Sequence, residues 1–173
     1  MATIPSQPNF PTSKQVPDHA IQDIYGKQAY LGNQFVYNTG TTAISGTSET
    51  VLLLITNPST SKSLFFQSKK LSSLAATSAT LRWYLSPTSS APGTTQTPIN
   101  MRPANANVSQ AVVGLTPTVS ANGTYVSQLN SINYYPSQDS SLLILDPGQV
   151  LLLTAQVGTG GTNVAVELIW QEI

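Results

Sequence analysis

The sequence contains no cysteine and one histidine, and only 8% of its 173 residues are charged. Without cysteine the chain has no disulfide, no thiolate nucleophile and no cysteine-based metal site. Seven Lys and Arg balance seven Asp and Glu, so we expect no basic patch that neutralises nucleic-acid phosphates. The apolar runs are only about five residues long, against the roughly 20 needed to cross a bilayer. We therefore predict neither direct nucleic-acid binding nor membrane insertion.

The sequence also offers little for catalysis. His19 stands beside Asp18, near Asp23, in a polar segment with no rigid framework to hold a metal ion. The many Ser and Thr hydroxyls have no paired base, and there is no G-x-S-x-G nucleophile motif. A facing carboxylate pair of the glycosidase type would have to come from scattered acids. We predict no enzyme activity, no catalytic residues, no cofactor and no bound metal.

The sequence does contain many short apolar segments separated by turn residues. Turn signals include Asn57-Pro58, Asn122-Gly123 and Asp146-Pro147-Gly148, where Pro followed by Gly predicts a type II turn. This spacing favours an all-β sandwich or barrel. The predicted strands are Gln34–Asn38, Thr50–Thr56, Ser63–Leu74, Ala79–Ser86, Val108–Leu115, Thr124–Tyr134, Ser140–Leu145, Val150–Gln156 and Asn163–Trp170.

Two sequence features between and within these strands allow alternatives. The Gly158–Gly161 segment could cradle a phosphate, but no Lys-Ser/Thr and no helix follow it, so we predict a hairpin connection. The Lys69-Lys70 pair could touch nucleic acid, although such a pair is more often a solvated strand edge that discourages aggregation.

The strands are of two kinds. Trp83 and Trp170 fall in phase with alternating apolar neighbours, which predicts that both side chains lie in the core. Three segments, Val51–Ile55, Leu142–Leu145 and Val150–Leu153, are instead apolar on both faces. The second face of such a strand must be covered, either by an arm or long loop of the same chain or by a neighbouring subunit.

The first 33 residues differ from the rest. We predict that residues 1–33 form an extended N-terminal arm and that residues 34–173 form the β-sandwich domain, with a short helical turn around Ala20–Tyr25. The arm is rich in Pro near its start, and it carries apolar side chains that suit docking onto a partner. The expected partner-binding residues are Phe10, Ile21, Ile24, Tyr25, Tyr30 and Leu31. Tyr134 and Tyr135, at a strand end, could contact a glycan or a neighbouring subunit.

Several segments resemble tailed-bacteriophage structural proteins. Leu52-Leu53-Leu54-Ile55-Thr56-Asn57-Pro58, followed by Lys62-Ser63-Leu64-Phe65-Phe66, is similar to a strand junction that recurs in them. The similarity continues through Leu81–Thr88, Thr97–Arg102, Leu145–Leu152 and Val164–Trp170, and covers roughly residues 48–171. The sequence thus resembles capsid decoration (cement) proteins and head-fibre proteins.

The resemblance implies a jelly-roll-type antiparallel sandwich of about eight strands that assembles as a homotrimer. It implies a virion structural protein on the capsid surface, made in the host bacterial cytoplasm. The major capsid protein or another virion protein would be its partner, and the protein would stabilise the shell. The alternative is a receptor- or glycan-binding module of a phage tail or fibre.

Overall fold

The computed structural model describes residues 26–45, 47–74, 78–131, 136–158 and 160–173. These residues form a short helix over 26–31 and fifteen strands. The strands are β1 (Gln34–Asn38), β2 (Thr42–Ile44), β3 (Thr50–Thr56), β4 (Leu64–Ser73), β5 (Ala79–Leu85), β6 (Thr88–Ala91), β7 (Thr94–Gln96), β8 (Ile99–Asn100), β9 (Val112–Leu115), β10 (Thr118–Ala121), β11 (Thr124–Ser131), β12 (Ser137–Asp139), β13 (Leu143–Leu145), β14 (Val150–Val157) and β15 (Thr162–Glu172).

Two antiparallel sheets contain all but two of these strands. The first sheet has the order β12-β4-β15-β1-β8, with β13 also paired to β4 and β2 to β15. The second sheet has the order β11-β5-β14-β3-β9-β7, and β6 pairs with β10 in a separate ribbon. Four principal strands of each sheet follow the jelly-roll order, with β1-β15-β4-β13 in one sheet and β3-β14-β5-β11 in the other. The predicted jelly-roll-type antiparallel sandwich is therefore confirmed.

The core lies between the inner faces of the two sheets. Trp83 of the second sheet and Trp170 of the first are both fully buried, as predicted. The Trp170 ring packs against Phe66, with ring centroids 5.7 Å apart, and against Phe35, at 6.3 Å. Alternation along β15 supplies further inward residues such as Val166. The alternating pattern thus identified the core face correctly.

Strands β3 and β14 are buried on both faces, and the chain itself covers them. Leu54 and Leu152 are directly paired on the outer face of the second sheet, yet both are buried. Leu54 is also in register with Gly114, where an added Cβ would come 1.7 Å from the Pro92 carbonyl oxygen. The connection between β6 and β7 therefore lies over this outer face. Next to Leu54 this cover comes from the short connection Pro92-Gly93, and Leu152 is likewise buried by residues of the same chain.

The third doubly apolar segment behaves differently. Leu142, just before β13, and Ile144, on β13, are exposed, whereas Leu145 is buried in the core.

Some local predictions were right and others wrong. The Asp146–Gln149 turn forms as expected, with a hydrogen bond of 3.0 Å from Gln149 N to Asp146 O and φ of +77° at Gly148. The predicted hairpin through Gly158–Gly161 is wrong, because β14 belongs to the second sheet and β15 to the first. This segment instead crosses between the sheets, as jelly-roll wrapping requires.

The first described strand begins at Gln34, the residue at which the first strand was predicted to begin. The described end of the arm is a helical turn over 26–31 rather than extended chain. It ends with hydrogen bonds from Gly32 N to Ala29 O (3.0 Å) and from Asn33 N to Gln28 O (2.9 Å), with Gly32 in the left-handed region that often ends helices. The helical turn predicted around Ala20–Tyr25 lies outside the described residues.

Candidate functional site

Side chains of β8 and of the loop between β8 and β9 form hydrogen bonds with the end of helix 26–31. Arg102 donates a hydrogen bond from Nη1 to the Tyr30 carbonyl oxygen, and its guanidinium lies 4.5 Å from the centre of the Tyr30 ring. Asn100 Nδ2 donates to the Gly32 carbonyl oxygen at 2.9 Å. The last carbonyls of a helix have no partner within the helix, so these side chains satisfy groups that would otherwise need water. A cation–π contact adds to the hydrogen bonds at this point.

Two further asparagines of the same loop contact the helix end. Asn105 Nδ2 lies 3.2 Å from the Leu31 carbonyl oxygen, and Asn107 Nδ2 lies 3.3 Å from the same atom. Asn107 also accepts a hydrogen bond at its carbonyl oxygen from Asn100 Nδ2, at 2.9 Å. We call this arrangement of helix 26–31 and the loop over 101–111 the clasp. It fixes the position from which the arm leaves the sandwich.

A buried carboxylate holds the other end of the loop. Glu172 accepts hydrogen bonds from Ser109 Oγ at 2.6 Å, from Gln110 N at 3.0 Å and from Trp170 Nε1 at 3.4 Å. Ala111 N lies 3.4 Å from the same carboxylate. A carboxylate that accepts several N–H and O–H bonds can remain buried without a cationic partner. Glu172 therefore ties the loop to the central strand β15 of the first sheet.

Large apolar side chains are exposed around the clasp. We call them the arm-base surface. Its members are Tyr30 (70% exposed), Leu31 (43%), Ile99 (68%), Met101 (45%) and Val108 (77%). All five lie on the helix, on β8 or on the loop that grips the helix. A cleft of about 310 Å³ lies next to Val108, with Phe35 and Lys62 among its lining residues. Apolar groups that are concentrated in this way mark a contact surface more often than scattered single residues do.

A second group of polar side chains lies on the outer face of the second sheet. Glu49 accepts hydrogen bonds from the Tyr84 hydroxyl at 2.8 Å and from Thr154 Oγ1. Arg82 Nη1 lies 3.6 Å from Glu49 Oε1 and donates to Gln156 Oε1 at 2.7 Å. Burial raises the pKa of Tyr84, and the hydrogen bond to Glu49 and its negative charge raise it further. Glu49 is therefore part of an ordered network rather than an isolated solvated acid.

The same outer face carries an aromatic pair. Tyr125 of β11 is directly opposite Tyr84 of β5, and the two rings meet edge to face with centroids 5.8 Å apart. Tyr125 is half exposed. Gln128 of β11 is opposite Arg82, and Asn130 is opposite Thr80. We call this set, together with Glu49 and Gln156, the tyrosine–amide face.

Lys69 does not form a solvated edge, and this corrects the sequence interpretation. Its side chain is buried, with Nζ 3.5 Å from Asp139 Oδ2 and 5.6 Å from the centre of the Trp83 ring. Burial lowers the pKa of Lys69, and the Asp139 charge opposes that shift. Burial acts to raise the pKa of Asp139, but hydrogen bonds from Ser141 and the Lys69 charge outweigh it, so the pKa is lowered. The neighbouring Lys70 forms a partly exposed ion pair of 2.7 Å with Glu167.

The predicted contact residues fall into two groups. Tyr30 and Leu31 lie in the arm-base surface, where the structure exposes both. The other six, Phe10, Ile21, Ile24, Tyr25, Tyr134 and Tyr135, lie outside the described residues. Sequence reasoning missed Ile99, Met101 and Val108, because each stands alone among polar residues and carries no periodic signal. Val108 was assigned to a strand, but β9 begins only at Val112.

Within the described ranges, no three acidic or histidine side chains come close enough together to bind a metal ion. None of the helical structure described there has the length and apolar character needed to span a membrane. No protein-family model matches this sequence, and a search of curated proteins finds no match.

Proposed function

We propose that this protein is a trimeric virion structural protein, a capsid decoration (cement) or head-fibre protein that attaches to a phage shell and stabilises it. The arm-base surface is the observation that carries the proposal. It exposes five large apolar side chains where the arm leaves the sandwich, so arm and surface together offer a single attachment region. The formal net charge of zero also favours association over mutual repulsion.

The clasp suits this role mechanically. Its loop is anchored to the helix by Asn100 and Arg102 and to β15 by Glu172. A surface held in this way loses little conformational entropy when it docks, so more of the contact free energy appears as affinity. Apolar area removed from water contributes about 25 cal/mol per Å² before the costs of association. Attachment across several shell subunits would then resist their separation.

A double substitution tests the proposal. Met101→Ser with Val108→Ser removes two exposed apolar side chains and changes no hydrogen bond of the clasp. Burying each side chain contributes about 1.5–3 kcal/mol, so we expect co-sedimentation with shells that lack the protein to weaken at least about tenfold. The melting temperature should stay unchanged, because both side chains are exposed in the folded chain.

Leu74→Ser provides the matched control. Leu74 is exposed to a similar extent but lies beyond the end of β4, away from the clasp. This variant should bind shells like the unsubstituted protein. If the double variant binds shells as tightly as the control, the arm-base surface is not the attachment region and the proposal loses its main support.

A further inference from the structure

The tyrosine–amide face has a composition that the fold does not require. A solvated outer sheet face needs only polar side chains, but here one row across β11 and β5 pairs Tyr125 with Tyr84. The register of β11 shifts between Tyr125 and Ser127, so one extra residue is accommodated beside the pair. Bulges of this kind re-aim side chains, and they are common next to binding sites. The shift brings Tyr125 opposite Tyr84 and leaves half of its side chain open to solvent.

The next rows of the face carry flat polar groups. Arg82 Nε lies 3.4 Å from Gln128 Oε1, and Arg82 Nη1 donates to Gln156 at 2.7 Å. Thr80 Oγ1 donates to Asn130 Oδ1 at 2.9 Å. These contacts hold the guanidinium and amide groups in fixed orientations. Each amide has two donor hydrogens and two acceptor lone pairs. Gln128 and Asn130 each use one of these in the contacts above, and Gln156 uses two, since its Nε2 also donates to the Thr47 carbonyl oxygen at 2.6 Å. All three therefore keep capacity for a ligand.

The opposite charges of the face offset each other. Glu49 and Arg82 are 3.6 Å apart, and the other members of the set are uncharged. A phosphate or sulfate group would meet the Glu49 carboxylate, and the single guanidinium is already engaged. The electrostatics therefore favour a neutral ligand, because either ionic class would find a repelling group.

We infer that the tyrosine–amide face binds a neutral oligosaccharide. A pyranose ring has an apolar C–H face that can pack on the exposed Tyr125 ring, since tyrosine combines an apolar body with a polar end. Its adjacent hydroxyl groups match flat groups that donate and accept in pairs, as Gln128, Gln156 and Asn130 do. The site lies on the sheet opposite β15 and the clasp anchor, so an attached protein could bind shell and saccharide at once. This inference does not depend on where in a virion the protein resides.

The test uses the full chain on an immobilised panel of neutral oligosaccharides, namely glucans, mannans, galactans and N-acetylhexosamine oligomers, with sialylated and sulfated saccharides alongside. We expect binding to at least one neutral class. Tyr125→Ala should weaken that binding about tenfold through loss of the ring contact, and Gln128→Ala should weaken it severalfold. Both residues are exposed, so the fold should survive both changes, and the melting temperature checks this.

Gln138→Ala is the matched control, because Gln138 is an exposed amide on β12 of the other sheet. It should bind the panel like the unsubstituted protein. Three results would overturn the inference: no binding to any neutral class, binding to the acidic saccharides alone, or binding that Tyr125→Ala leaves unchanged. Shell attachment by the Tyr125→Ala variant should be normal, which separates this inference from the proposed function.

Discussion

Lys69 is the most unusual single residue in the described part of the chain. A lysine is seldom fully buried unless it is paired, and here it lies beneath Trp83 with Asp139 as its ionic partner. From Lys69 to Ser73, β4 alternates, with Lys69 in phase with the buried Leu71 and Lys70 facing outward. Leu64 and Phe66 are buried in the opposite phase, because the pairing of β4 with β15 shifts register at Ile169 and Trp170. A strict two-residue period counted from Phe66 would therefore have placed Lys70, and not Lys69, in the core.

Asp139→Asn should destabilise the fold. The change keeps the size of the side chain but leaves the Lys69 charge buried without its counter-charge, which costs about 3 kcal/mol for a buried pair. Urea denaturation at neutral pH measures the loss. The pKa of Asp139 is lowered in the folded chain, so its contribution is present above its ordinary value of 3.8 and is lost as the pH falls below it. The variant should therefore lose less stability on acidification than the unsubstituted protein.

The ion pair next to it supplies the control. Glu167→Gln breaks the contact between Lys70 and Glu167, whose side chains are 39% and 30% exposed to solvent. Exposed pairs contribute only about 0–1 kcal/mol, so this variant should denature close to the unsubstituted protein. If both variants lost the same free energy of unfolding, burial would add nothing to the contribution of the Lys69–Asp139 pair.

At the scale of elements, apolar patterning predicted the principal strands well. The bounds of Gln34–Asn38 and Thr50–Thr56 match β1 and β3. Six other strands are made mostly of polar or isolated residues and carry no periodic signal. They are β2, β6, β7, β8, β10 and β12. These strands form because a neighbouring strand offers unpaired backbone groups, which is a property of the folded sheet and not of the local sequence.

Of the candidate sites, too, the sequence predicted one part and not the other. Tyr30 was expected in a contact surface because an apolar residue stood out in a polar arm. The tyrosine–amide face was not expected, because Glu49, Arg82 and Tyr125 are far apart in sequence and meet only through strand register. The cover over β3 was left open between chain and neighbour, since no sequence pattern shows where a loop will fold back.

That cover depends on Gly114, and Gly114→Ala should destabilise the fold. An added Cβ would lie 1.7 Å from the Pro92 carbonyl oxygen, which is backbone and cannot rotate away. The β6–β7 connection would have to move off the sheet, at the roughly 1–3 kcal/mol typical of overpacking. The midpoint of urea denaturation should fall accordingly.

Gly26→Ala is the control, for which we expect a gain and not a loss of stability. Apart from its chain neighbours and its own helix backbone, no atom of the described residues lies within 4 Å of a Cβ added at Gly26, and the residue is helical. Replacing Gly by Ala in a helix stabilises it by up to about 1 kcal/mol. If Gly114→Ala were as harmless as Gly26→Ala, the connection could not be packed against the sheet as described.

At the scale of the whole molecule, we expect a trimer whose assembly or attachment depends on the arm. Light scattering on the full chain should give about three times the chain mass of 18.3 kDa. Deleting residues 1–25 keeps the clasp and every described strand, so the product should fold with an unchanged far-ultraviolet circular dichroism spectrum. It should lose either its trimeric mass or its binding to shells.

Two outcomes would contradict this expectation. A full chain that is monomeric at micromolar concentration would rule out a stable trimer. A truncated chain that trimerises and attaches normally would show that residues 1–25 have no role, and the arm-base surface would then have to provide the contact.

The positions of β14 and β15 also constrain how the chain can fold. Each is a central strand of its sheet, with β14 between β5 and β3 and β15 between β4 and β1, yet both follow all the other described strands along the chain. During synthesis, the earlier strands therefore emerge with gaps where their middle neighbours belong. Neither sheet can close until residues 150–172 have left the ribosome, and such long-range pairing is slow. The nascent chain must remain soluble with open strand edges throughout this period.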